Sequence, residues 1–375
     1  MRQVGRRVPT WPSSALHSQF LRSLALGIAV LGAAFFAPPQ AAWAAEPEPT
    51  PSDPKTVTMI IGYPAGGGVD ATGRLFAQFL TKYLPGNPPV VVRNMPGADG
   101  RVALNFFVRQ VKPDGLTVTT GSSTQLDPLN YRTANSQYYP TKFNFIGGVS
   151  RGGTFQVISK TGEQRLTDKT AAPVPVGAVD GTRSGEQMTS WGMEFLDWNV
   201  KWVVGYRGAS ETSIALERGE IDIVSTSNSF LIKRLTDTGK FKLLAQSGVV
   251  VDGKLRRRTD FADTPVMAEL IGGKLTDAGA RDAFSYWEAI CLMDPWAALP
   301  PDTPAPIVAT FREAFAKMFA DPEFLEKGKR ISEDIAPMTH ADIEGLVRTA
   351  AARLTPGAEA FFRTMHAKQG LRPKE

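Results

Sequence analysis

A single cysteine, Cys291, stands in a chain of 375 residues, so no intrachain disulfide is available. It sits in the apolar run Ala289-Ile290-Cys291-Leu292-Met293 and reads as a small core residue. Histidine is nearly as scarce, with His17, His340 and His366. Cys pairs and the H-E-x-x-H run are missing, so no metal and no cofactor is expected. No two carboxylates are spaced in a way that demands acid–base catalysis, so no catalytic residue is assigned and the chain is not expected to be an enzyme. A bilayer-spanning apolar stretch needs about 20 residues, and the uncharged run 23–37 falls short of it. A basic excess is also lacking once residues 1–44 are set aside. These hold Arg2, Arg6, Arg7 and Arg22 and no acid, and the remainder has 38 basic against 37 acidic side chains. Without a basic footprint, nucleic acid is not an expected partner.

What the first 44 residues do contain is a pattern. A basic segment ends at Arg22, the apolar run follows, and Ala42-Trp43-Ala44 puts small residues where signal peptidase cuts. Cleavage after Ala44 is expected, leaving a chain outside the cytoplasm. Residues 45–54, with Pro47, Pro49, Pro51 and Pro54, read as an extended tether.

Beyond the tether, strand and helix signals alternate. An apolar run at 57–61 predicts a buried strand, and Ala71, Leu75, Phe76, Phe79 and Leu80 recur at helical spacing. Strands at 90–92 and 116–120 follow, separated by a helix with Leu104, Phe107, Val108 and Val111 inward. A second series runs from 175 to 245. In it, Ser184 and Gln187 have the spacing of a capping box opening a helix with Met188, Trp191 and Phe195 inward. Another helix opens at Gly208-Ala209-Ser210 and stops at Gly219. Two such blocks predict two parallel-sheet α/β domains. The last third reads as mainly helical, at 306–319, 322–329 and 341–353. Four basic side chains in 254–258 read as a solvated loop, and His340 and His366 as surface imidazoles.

Two strand-to-helix turns are rich in glycine: Tyr63-Pro64-Ala65-Gly66-Gly67-Gly68-Val69-Asp70 and Asn94-Met95-Pro96-Gly97-Ala98-Asp99-Gly100. Glycine lets a ligand approach backbone N–H groups, and each turn opens a helix whose N-terminus favours an anion. Side by side, the turns would grip a carboxylate. A P-loop is excluded, because Arg74 and Leu75 stand where Lys and a hydroxyl belong.

These motifs resemble those of the periplasmic receptors of tripartite tricarboxylate transporters, the Bug family. Ala65-Gly66-Gly67-Gly68 with Asp70 and Arg74, then Asn94, Pro96, Gly97, Ala98 and Gly100, then Pro113-Asp114-Gly115 with Thr117, and Tyr206-Arg207-Gly208 follow the family's order. The resemblance runs from about residue 55 to 372. It implies an α/β, two-lobed type II periplasmic binding protein (Venus flytrap) fold. Residues 55–148 and 288–375 would form lobe 1, and 149–287 lobe 2. By similarity, Ser122, Ser123 and Thr124 should line the first lobe, with Ser184, Tyr206, Arg207 and Gly208 facing them. The implied ligand is a small organic acid, and the implied partner is the membrane permease of a tripartite transporter. A periplasmic monomer is expected. The alternative is an exported α/β enzyme acting on such an acid. Three positions depart from the family: Asp99 replaces a usual Gly, Val69 a common Thr, and Thr226 stands where relatives often carry an acid. Asp99 is expected to cap the helix that follows it.

Overall fold

Short β-branched runs and 3.6-period stretches fold, in the computed structural model, into two large sheets covered by helices, with a small two-stranded sheet beside them. The structure describes residues 55–251 and 254–371. The leader and the tether lie outside them. The strands are β1 (Val57–Ile61), β2 (Val90–Asn94), β3 (Thr117–Gly121), β4 (Asn144–Ser150), β5 (Phe155–Ser159), β6 (Val174–Ala178), β7 (Val200–Val204), β8 (Ile223–Thr226), β9 (Phe241–Gln246), β10 (Val249–Val251), β11 (Lys254–Arg256), β12 (Trp296–Leu299) and β13 (Ala336–Met338).

One large sheet has six strands in the order β13-β4-β12-β3-β1-β2, the other has five in the order β7-β6-β8-β5-β9, and β10 and β11 form a separate antiparallel pair. Pairs β1–β2, β1–β3, β6–β7 and β6–β8 are parallel. The purely parallel expectation is corrected, however. Strand β12 runs antiparallel to β3 and β4, β13 antiparallel to β4, and β5 antiparallel to β8 and β9. The physical reason is the path of the chain. It leaves the first sheet along β4, enters the second along β5, and returns to the first at β12. Strand β4 keeps the direction of β3, whereas β5 and β12, by which the chain enters the second sheet and re-enters the first, run against the local βαβ direction.

The predicted apolar face of the Gly68–Tyr83 helix is buried, through Leu75, Phe76, Phe79 and Leu80. Phe76 meets Phe315 at 5.2 Å and Phe79 meets Phe324 at 5.3 Å, both edge to face. Burying such a side chain contributes about 1.5–3 kcal/mol. A second core gathers around Trp191, which packs on Phe284, Phe361 and Phe362. Cys291 is buried, at the end of the Ala278–Cys291 helix.

Three further expectations are corrected. His366 is buried, because the unforeseen Pro356–Lys368 helix packs it inward beside Phe362. Arg258 is fully buried, because two carboxylates meet its guanidinium. The capping box at Ser184 does not form. The Ser184–Phe195 helix has Arg183 as its N-cap, without a side-chain cap, and Ser184 Oγ is engaged by Ser123 Oγ at 2.9 Å.

Candidate functional site

The first glycine turn is held by a clamp. Asp70 Oδ2 accepts from Gly66 N–H and Arg74 Nε, both at 2.9 Å, and Oδ1 accepts from Asn94 Nδ2 at 2.8 Å. Burial alone would raise this carboxyl, but the bonds from Arg74, Asn94 and Gly66 hold it below the usual range. Gly67 is the N-cap of the Gly68–Tyr83 helix and supplies no side-chain cap. Of the first N–H groups, those of Gly68, Val69 and Asp70 make no hydrogen bond among the described residues. Gly68 lets Arg151 come close: a Cβ built there would lie 2.1 Å from Arg151 Nη1 and push the guanidinium aside.

The second turn is a run of left-handed backbone. Gly97 has φ 144°, Ala98 45°, Asp99 55° and Gly100 86°. Aspartate tolerates this region better than most residues. The expected cap is not formed: the Arg101–Gln110 helix starts at Gly100 with no side-chain cap. The physical reason is orientation. The Asp99 carboxylate instead lies 3.3 Å from Arg183 Nε, with only 5% of its side chain exposed.

Gln125 ties the turns together. Its Nε2 donates to Tyr63 Oη at 2.7 Å and to the Asp99 carbonyl at 3.0 Å, while its Oε1 accepts from Ser122 N–H at 2.7 Å. Tyr63 Oη also lies 2.8 Å from Ser122 Oγ.

From the second sheet, the Ala209–Glu217 helix presents another N-terminus without a side-chain cap, at Gly208. A Cβ built on Gly67 would lie 3.6 Å from Ser210 Oγ, and one on Gly208 3.8 Å from Pro64 Cδ. The two uncapped helix ends therefore face one another. Between them is a cavity of about 590 Å³. Of the sequence-predicted residues, Tyr63, Gly67, Gly68, Ser122, Ser123, Thr124, Ser184, Tyr206, Arg207 and Gly208 line it. Ala65, Gly66, Gly97, Ala98, Asp99 and Gly100 do not. Arg207 stands at its rim, 80% exposed and paired with Glu211.

Charged groups that the sequence reading passed over also line the cavity. Arg151 pairs with Asp294 through Nε, at 2.8 Å, and Nη2, leaving Nη1 without a hydrogen bond to the described residues. Arg183 lies over the Tyr63 ring, 5.2 Å from its centroid. Glu186 accepts from Val179 and Gly181 N–H groups at 2.9 Å. Burial pushes its carboxyl up to about 7, against the pull of Arg183.

No family model matches the chain. A UPF0065 protein of Cupriavidus necator is 27% identical over 230 residues, which is 58% of this chain and 64% of that protein, so the match spans less than two thirds of that relative. A UPF0065 protein of Agrobacterium vitis is 28% identical over 303 residues, 76% of this chain and 77% of that one. The solved periplasmic binding protein BugD matches with a TM-score of 0.62 at 20% identity, over 84% of this chain and 98% of its own. This chain has the two-lobed fold of the Bug receptors.

Two further structures with the Bug-type fold are an R. palustris protein with adipate and MatC of Rhodopseudomonas palustris with bound malate. Their TM-scores are 0.62 and 0.60, at 19% and 17% identity, over 85% and 83% of this chain and 99% of each of theirs. In the present chain, Arg151 and Arg183 had one readable signal: each follows a strand at the sheet edge where such folds hold ligands. The sequence 148–152 also has G-x-S-x-G spacing, which the sequence reading overlooked. It does not form a nucleophile elbow, because Ser150 ends β4, the chain continues into β5 rather than a helix, and Ser150 Oγ accepts from Gly152 N–H at 3.3 Å.

Proposed function

We propose that the chain is a periplasmic solute-binding receptor. It captures a small organic acid between lobe 1, residues 55–148 and 288–375, and lobe 2, residues 149–287. It then delivers the acid to the membrane permease of a tripartite transporter. The observation that carries this reading is the pair of uncapped helix N-termini, at Gly68 and Ala209, that open on one cavity together with Arg151 and Arg183. Each supplies positive potential for a carboxylate. The cavity's volume falls in the range of small-molecule sites. The acids bound by the two R. palustris proteins, adipate and malate, agree with this ligand class.

The work required is closure around the ligand, driven by tighter binding to the closed arrangement, and no catalytic step is needed. On this reading the leader directs export and is removed after Ala44. Native mass spectrometry of the freshly purified protein, followed by thermal shifts with malate, adipate and a panel of mono- and tricarboxylates, tests the function. An acid retained on the protein, or a concentration-dependent stabilisation, supports it. No retained acid and no shift across the panel overturns it, and turnover of a bound acid would move the reading to an enzyme. N-terminal sequencing from an envelope extract tests export; a chain still beginning at Met1 refutes it.

A further inference from the structure

Arg183 is under-satisfied. Its side chain is only 19% exposed, yet its guanidinium makes no hydrogen bond to the described residues. Among the described residues its ion pair is with Asp99, and that pair is itself incomplete: neither oxygen of the buried Asp99 carboxylate has a hydrogen-bond partner. Taking two charges out of water is costly unless hydrogen bonds complete the pair. The arrangement is nonetheless tightly fixed. Asp99 sits in the left-handed turn, with its carbonyl held by Gln125 Nε2 at 3.0 Å. The Tyr63 ring covers one face of the guanidinium, and Arg183 lines the cavity. Donors at the edge of the guanidinium are therefore the ones left for a partner in the cleft. A planar guanidinium is suited to a bidentate carboxylate.

We propose that Arg183 is the specificity-determining contact for the ligand's carboxylate, and that Asp99 is a built-in competitor for the same guanidinium. This deepens the receptor reading and rests on it. Arg183 stands at the start of the Ser184–Phe195 helix, while Asp99 belongs to the second glycine turn beside β2. A ligand carboxylate on Arg183 would thus be read by both halves of the cleft. The competitor sets an upper limit on affinity: the pair is neutral before the ligand arrives, and an added carboxylate leaves a net negative charge in a partly dry site. A receptor that must release its cargo gains from that limit.

Calorimetry with malate and adipate on the full mature chain decides the matter, with circular dichroism checking that each variant is folded. Arg183→Gln should weaken binding roughly ten- to a hundredfold, the loss expected for a charged hydrogen bond. Arg183→Lys keeps the charge without the planar fork and should lose less. Asp99→Asn should tighten binding several-fold, and the gain should vanish in the Arg183→Gln background. If the unaltered chain binds either acid and Arg183→Gln binds it within twofold, the inference falls and the receptor reading stands. Weaker binding by Asp99→Asn overturns the competition. If the unaltered chain binds neither these acids nor any other in the panel, both readings fall together.

Discussion

Replacing Arg258 with methionine removes the most completely buried charge in the second half of the molecule while keeping most of its stem volume. The guanidinium is 0% exposed. Its Nε lies 3.1 Å from Asp260 Oδ1 and 3.0 Å from Asp334 Oδ2, and its Nη2 lies 2.8 Å from Asp260 Oδ2 and 3.0 Å from Ser332 Oγ, with a further bond to Ser229 Oγ. Phe155 and Phe261 cover it, at 5.0 and 5.5 Å. Methionine would leave Asp260 and Asp334 facing each other without a cation. Stripping one partner from a buried pair costs about 3–5 kcal/mol. At roughly 2 °C per kcal/mol, that is a fall in Tm of about 6–10 °C.

The sign with pH is set by the carboxyls. Burial already pushes Asp260 above its ordinary value despite Arg258, with Asp334 adding to the rise. A raised folded-state value contributes stability at low pH that is lost as pH rises through it. Without Arg258 the Asp260 carboxyl should move further up, so the variant's deficit is largest near neutrality and shrinks at acidic pH as this acid becomes neutral. Thermal melts of Arg258→Met at neutral and acidic pH measure this. The variant Arg258→Met/Asp260→Asn/Asp334→Asn should recover much of the loss at neutral pH. A Tm change under about 2 °C at neutrality, or a deficit that does not depend on pH, would refute the reasoning.

Further outcomes follow from the cleft. Gly68→Ala should displace Arg151, since its Cβ would lie 2.1 Å from Nη1, and weaken acid binding in calorimetry, whereas Gly67→Ala, with nothing closer than 3.6 Å, should leave Tm unchanged. Glu186, with its carboxyl near 7 and facing Arg183, Asp180 and Asp99, should take up a proton when an anion binds, so affinity falls as pH rises through about 7. Equal calorimetric enthalpies at pH 7 in buffers of different ionisation heat would contradict that linkage. Arg207→Ala should change acid affinity less than about twofold and stability by under about 0.5 kcal/mol, because the side chain is 80% exposed and pairs only with Glu211; a tenfold loss in the same titration would place it on the ligand.

The readable parts of the fold were those written locally. The apolar face of the Gly68–Tyr83 helix and the β-branched strands β1, β2 and β6 carry their own periodicity, and the structure has them. Strand β12, Trp-Ala-Ala-Leu, and β4, with two glycines, carry little β signal, and only their neighbours make them strands. The same distinction explains two contacts that the sequence pattern misplaces. Ser184 and Gln187 have capping-box spacing, but Ser184 Oγ is taken by Ser123, 61 residues away in the chain. The basic run at 254–258 looks solvated until Asp334, 76 residues beyond Arg258, closes on it. Sequence spacing carries a local contact well; it does not carry the identity of a partner that arrives from the other half of the molecule.

Arg258, Arg151 and the half-buried Arg183 therefore divide by what surrounds them rather than by sequence context. Arg258 spends its donors on Asp260, Asp334, Ser229 and Ser332, and a guanidinium so engaged has little left for a ligand. Arg151 and Arg183 differ. Each is matched by one carboxylate, and in each pair that carboxylate retains an oxygen without a hydrogen bond: Oδ1 of Asp294, and both oxygens of Asp99. Both arginines, unlike Arg258, line the cavity. A pair selected only to hold the fold would complete its hydrogen bonds, as Arg258 does, because an incomplete buried pair costs stability. On the receptor reading, the incomplete pairing of Arg151 and Arg183, both of which line the cavity, is charge kept available for a small anion.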